Sequence, residues 1–127
     1  MRPCKTVQNI ILPDLYAIVP FKASQNAAFD SVHRESMAWV ESHNAFIGPK
    51  WEQFVQSCPG LLASYVYPSA DSEGLRACCD YIALLFVIDE TTDEQQVIEA
   101  HQAIDSHIKA LANEPCDDNA IYRMTKE

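Results

Sequence analysis

One stretch, Leu75 to Asp89, limits the possible folds more than any other. Leu75, Cys78, Cys79, Ile82, Leu85, Phe86 and Asp89 recur at steps of three and four, the period of one helical face. From Tyr81 onward the other faces are apolar too. Such a helix cannot lie on a surface; it needs neighbours on several sides, so it is expected to be central and surrounded. Its continuous apolar run, Ile82 to Ile88, is far shorter than the roughly 20 residues that span a bilayer. Asp71 or Ser72 supplies an N-cap, and the helix is expected to reach about Ile88 or Glu90.

The flanking segments read as further helices. From Ser24 to about Asn44, Phe29, Val32, Ser36, Trp39, Val40 and His43 keep the three-four spacing, and Gly48-Pro49 stops it. Two short helices, Pro49 to Ser57 and Pro59 to Tyr67, each open on a proline suited to a first turn. Thr92 with Gln95 forms a capping box for a helix to about Asn113, whose stripe Val97, His101, Ile104, Ile108 and Leu111 is expected to face the core. Before Ala23, Pro3, Pro13 and Pro20 interrupt any helical period, so an extended leader is expected, with Leu15, Tyr16 and Phe21 covering other surface. The fold class is all-α. The chain divides into a leader (1–23), a helical part (24–113) and a tail or start of a next element (114–127).

Charge and cysteine usage narrow the partners. A net charge of -9 over 127 residues excludes general affinity for nucleic acid or anionic membrane, which needs clustered Lys and Arg. The five cysteines are an odd set without zinc-like spacing, and no secretory signal opens the chain, so a reducing, cytoplasmic setting is expected. Cys78 and Cys79 read as small packed residues. His33, beside Arg34 and three after Asp30, reads as a surface residue, and His101 as a packed one. Nucleophile elbows and phosphate-cradling glycine loops are absent.

Chemistry concentrates in L-L-F-V-I-D-E-T-T-D-E, residues 84 to 94. Asp89 and Asp93 are four apart, so a helix that persists through them puts both carboxylates on one face, with Phe86 just below. Mg²⁺ characteristically takes one or two carboxylates and completes its shell with water and phosphate oxygens. An acidic chain can hold a diphosphate if cations stand between the two anions. The competing reading is that these acids decorate a helix junction, favoured by the next helix's N-terminus. An EF-hand fails because the sixth position counted from Asp89 is Glu94, not glycine. A di-iron bundle fails because no glutamate has a histidine three residues later.

The segment P-G-L-L-A-S-Y-V-Y-P-S-A-D-S-E-G-L-R-A-C-C-D-Y-I-A-L-L-F-V-I-D-E-T-T-D, residues 59 to 93, resembles fungal sesquiterpene synthases of the mushroom-forming type, which are class I terpene cyclases. L-P-D-L at 12 to 15 and the spacing of Glu35, Trp39 and Phe46 are similar to that family's opening. The resemblance implies the N-terminal helices of a class I terpenoid synthase bundle, incomplete. It also implies Mg²⁺-dependent loss of diphosphate from farnesyl diphosphate and cyclisation of the resulting cation. Asp89 then matches the first acid of the metal motif, Asp93 its last, and Phe86 an aromatic lining the hydrocarbon pocket. No catalytic residue is implied beyond the metal ligands. Glu90 is turned about 100° round the helix and is not taken as a ligand.

The family's second metal motif, its diphosphate-sensing arginine and its terminal R-Y pair do not occur. Asp117 and Asp118 do not replace that motif, because Ile121 and Tyr122 stand where a hydroxyl is wanted. The chain is therefore expected to be inactive alone and to expose apolar surface that invites self-association. An isoprenyl diphosphate synthase is disfavoured, because Glu94, Gln95 and Gln96 follow the motif in place of arginines. A noncatalytic helical interaction protein derived from a cyclase remains the alternative.

Overall fold

The computed structural model describes residues 11–93 and 97–127. Among the described residues seven helices follow one another: α1 (Leu15–Ile18), α2 (Phe29–Ser42), α3 (Pro49–Ser57), α4 (Pro59–Val66), α5 (Ser72–Asp93), α6 (Val97–Leu111) and α7 (Ala120–Lys126). The described residues contain no strand. None of the described helices is long and apolar enough to cross a membrane.

The apolar helix α5 is the hub, packing against α2, α4, α6 and α7. Asp71 caps it, its carboxylate accepting from the Gly74 N–H at 2.8 Å. Two apolar clusters grip it. Near its start, Leu75 and Cys79 meet Val32 of α2 and Ala63 of α4. Further along, Leu84, Val87 and Ile88 meet Met37 and Val40 of α2, Phe54 of α3, and Ile121 and Met124 of α7. The expected enclosure is incomplete, because Tyr81 and Leu85 stay 57% and 41% exposed.

Several boundaries shift for local reasons. Helix α2 begins at Phe29, not Ser24, because the Asn26 side chain folds over the turn and accepts from the Ala28 N–H at 2.9 Å. The expected face of α2 is otherwise observed, with Val32, Ser36, Val40 and His43 buried. The leader contains a one-turn helix, α1, whose Asp14 cap accepts from Tyr16 and Ala17. Its described apolar side chains are largely exposed, Tyr16 at 93% and Phe21 at 84%, and do not form the expected cover. Helix α5 continues to Asp93, so Thr92 lies inside it and caps no new helix; its hydroxyl donates to the Asp89 carbonyl at 3.0 Å. Gln95, the other half of the expected capping box, lies outside the described residues. The tail forms α7, capped by Asn119, which accepts from the Tyr122 N–H. The carboxylate of Glu127 then accepts from the Trp39 indole at 2.7 Å and lies 3.2 Å from His43 Nε2. These contacts hold Glu127 below its ordinary pKa, the Trp39 hydrogen bond foremost.

Helix α6 reverses the sequence reading. Ala103, Ser106 and Ala110 face inward, while Val97, Ile104, Ile108 and Leu111 are exposed and His101 with them. Small residues allow α6 to approach α5 and α7 closely, and close approach decides which face goes in. Ile108→Gln should therefore change stability by no more than about 0.5 kcal/mol in urea denaturation, as for an ordinary surface position. A cost of about 2 kcal/mol or more would return Ile108 to the core.

Candidate metal centre

The acidic pair depends on α5 running unbroken past Ile88. It does so, and Asp89 and Asp93 consequently stand one turn apart, both exposed. Leu85, four residues before Asp89, is exposed on the same side. Phe86 is half-buried and packs on the main apolar cluster. The residues between the two acids fan out round the helix. Glu90 faces α3, lining a cleft of about 100 Å³ with Phe46, Lys50, Gln53 and Phe54. Thr91 lines a cleft of about 360 Å³ between α5, α6 and α7, and Thr92 a groove beside Val97 and His101. The 100° offset that separates Glu90 from Asp89 is thus visible as a different cleft.

The last described turn of α5 is acidic and carries no basic residue. Carbonyl dipoles leave the C-terminus of a helix partially negative, where cations are stabilising and carboxylates are not. Helix α5 ends in Glu90 and Asp93 with no basic residue in its last turn. Among the described residues no group of three His, Cys, Asp or Glu side chains converges on one point. What the chain presents is two carboxylates from one helix, a donor set that fits part of a Mg²⁺ shell whose other positions go to water and phosphate.

Other sequence-singled residues lie elsewhere. His33 is not a surface residue: it is half-buried, stacked on Phe29 at 5.2 Å and pressed against Gly60. His101 is exposed, and Asp118 pairs with Arg123 at 2.8 Å. Leu85 and Tyr81 occupy the open side more fully than Phe86, and their spacing of four and eight before Asp89 was the signal for it.

No protein-family model matches the chain. It is 37% identical over 128 residues to "linoleate 10R-lipoxygenase COP4" of Coprinopsis cinerea, covering 100% of this chain and 36% of that protein. It is 37% identical over 117 residues to "bifunctional terpene synthase Agr4" of Cyclocybe aegerita, covering 91% and 34%. A delta(6)-protoilludene synthase of Stereum hirsutum is 40% identical over 107 residues, covering 84% and 29%. The chain thus spans about a third of the length of the curated relatives it matches. The solved structure described as "Hedycaryol apo" superposes with a TM-score of 0.74 at 24% identity, over 92% of this chain and 40% of that one. By fold, then, the described helices are part of a class I terpenoid synthase bundle. The chain belongs to the class I terpene cyclases of the basidiomycete sesquiterpene synthase type.

Proposed function

We propose that this chain supplies one wall of a Mg²⁺-dependent sesquiterpene synthase site acting on farnesyl diphosphate in the cytoplasm. The observation that carries the reading is the continuation of α5 through Asp93, which sets two carboxylates one turn apart on a helix whose exposed side is apolar. Asp89 and Asp93 would hold the metal. When bound, it supplies positive charge that neutralises the leaving diphosphate. Leu85, Phe86 and Tyr81 would bound the hydrocarbon chain and keep water from the cation, with the aromatic faces available to it through cation–π attraction. Carboxylates from one helix leave the opposite side of the metal shell to other parts of a longer enzyme, so the 127-residue chain alone is expected to give no turnover.

The test uses Mn²⁺ as a spin probe for the metal, with inorganic diphosphate, on the 127-residue chain. Asp89→Asn should weaken Mn²⁺ binding about ten-fold, equivalent to about 1.4 kcal/mol, with helix content unchanged. Equal binding by both proteins would remove the metal reading. Robust turnover of farnesyl diphosphate, lost in Asp89→Asn, would keep the metal reading and show these residues to be sufficient.

The exposed stripe on α6 favours a second reading, a noncatalytic interaction protein that self-associates through apolar surface. Sedimentation separates the two. A concentration-dependent dimer abolished by Ile104→Lys, together with no metal binding, would favour it.

A further inference from the structure

A groove of about 600 Å³ runs between α2, α5 and α7, away from the acidic tip of α5. Its α5 edge is set by Glu73, Ala77, Asp80 and Leu84, which recur at steps of four, three and four and therefore share one face over about 16 Å. Leu84 and Met124 of α7 are 4% and 3% exposed and form an apolar floor. Trp39 of α2 and the exposed Tyr81 add aromatic surface, and the small, exposed Ala77 leaves room for another backbone to come close. A surface of this length suits three turns of a helix laid along α5.

Charge decides what kind of helix fits. Glu73, Asp80 and Glu127 all line the groove, whereas Arg76 is the one base among its described lining residues. That guanidinium is already engaged: its Nε donates to both Asp80 oxygens at 2.9 Å, and its Nη1 lies 3.4 Å from Glu35. Glu127 is tied to Trp39 and His43, yet its side chain remains 61% exposed. Apolar floor and acidic rim thus occur together, with an excess of carboxylates over guanidinium.

A second copy of the chain matches this rim poorly, because each copy carries a net charge of -9 and the two repel. A helix with an apolar stripe flanked by cations matches floor and rim at once. We propose that the groove between α2, α5 and α7 docks a helix of a partner protein whose leucine- or methionine-rich stripe is bordered by lysine or arginine. The stripe lies on Leu84, Met124 and Ala77, and the cations meet Glu73 and Glu127.

The test titrates the whole chain by calorimetry with an amphipathic peptide of leucine and lysine about four turns long, and with a counterpart carrying glutamate for every lysine. The lysine peptide should bind and the glutamate peptide should not. Glu73→Lys should weaken binding at least about ten-fold. Asp117→Lys makes the same change of charge at an exposed position outside the groove and should alter binding less than about two-fold. Ala77→Gln, neutral but larger, should weaken it about ten-fold by filling the groove. Absence of binding overturns the proposal, as does equal weakening by Glu73→Lys and Asp117→Lys, which would leave only the diffuse charge of the chain. Sedimentation showing a dimer that Ala77→Gln dissociates overturns it in favour of a second copy. If Ala77→Gln lowers the helix content, the comparison of Glu73→Lys with Asp117→Lys decides alone.

Discussion

Asn26→Ala is expected to lower the unfolding free energy by about 3 kcal/mol, a large share of what a domain of this size possesses. Asn26 is 5% exposed, and its side chain closes the region where α2 begins against the turn between α4 and α5. Its amide donates to the Tyr67 carbonyl at 2.9 Å and to the Ala70 carbonyl at 2.8 Å, while its oxygen accepts from the Ala28 N–H. Alanine removes all of these at about 1 kcal/mol each and offers nothing to the carbonyls left behind. Asn26→Asp is nearly isosteric but turns a donor towards two carbonyl oxygens into an acceptor, so it should cost more than alanine at pH 7. Urea midpoints at constant m-value measure both. A cost below about 1 kcal/mol for alanine, or aspartate milder than alanine, would show that the latch contributes little.

Gly60→Ala should cost about 2 to 3 kcal/mol, although alanine is the better helix former by up to about 1 kcal/mol. A Cβ at this position would meet His33 Nδ1 at 2.5 Å, Cγ at 3.2 Å and Cβ at 3.3 Å. Rotating the imidazole can relieve the first contact but not the last, which belongs to the α2 stem, so α4 must back away from α2. The seam it would open is tight, since Pro59, Gly60, Ala63 and Ser64 are all buried there. His33→Ala in the Gly60→Ala background should recover at least about 1 kcal/mol, a coupling measurable by a double-mutant cycle. Gly60→Ala costing less than about 0.5 kcal/mol would show that the corner is looser than the contacts indicate.

The helical pattern was legible wherever large apolar residues face the core. The presence of α5 and the inward face of α2 follow from spacing, since Leu75, Val32 and Val40 are both apolar and buried, but the second half of α5 buries Ala83, Leu84, Val87 and Ile88 and leaves Leu85 of the expected stripe exposed. Helix α6 was misread because the same rule ranks Ile104 and Ile108 above Ala103 and Ala110, whereas helix packing there selects for small size. The end of α5 was placed early because T-T-D-E-Q resembles a new N-terminus, and only the fold shows Thr92 bonded back to Asp89. His33 was misplaced by its local neighbours Asp30 and Arg34; its burial comes from Gly60, distant in sequence and uninformative without the fold. Helix α7 has seven residues, too few to display a period. Placing Asp89 and Asp93 on one face required a single assumption, that α5 continues through both, and the continuity of α5 is observed.

That continuity has a mechanical consequence. At 1.5 Å per residue the 22 residues of α5 form a rod of about 33 Å, clamped by one apolar cluster near its start and another along its second half. Asp89 sits one position beyond Ile88, the last gripped residue, so it has almost no lever arm of its own. Any displacement of Asp89 must therefore disturb the packing of Leu84, Val87 and Ile88 just behind it, and that packing sets the stiffness of the acidic end.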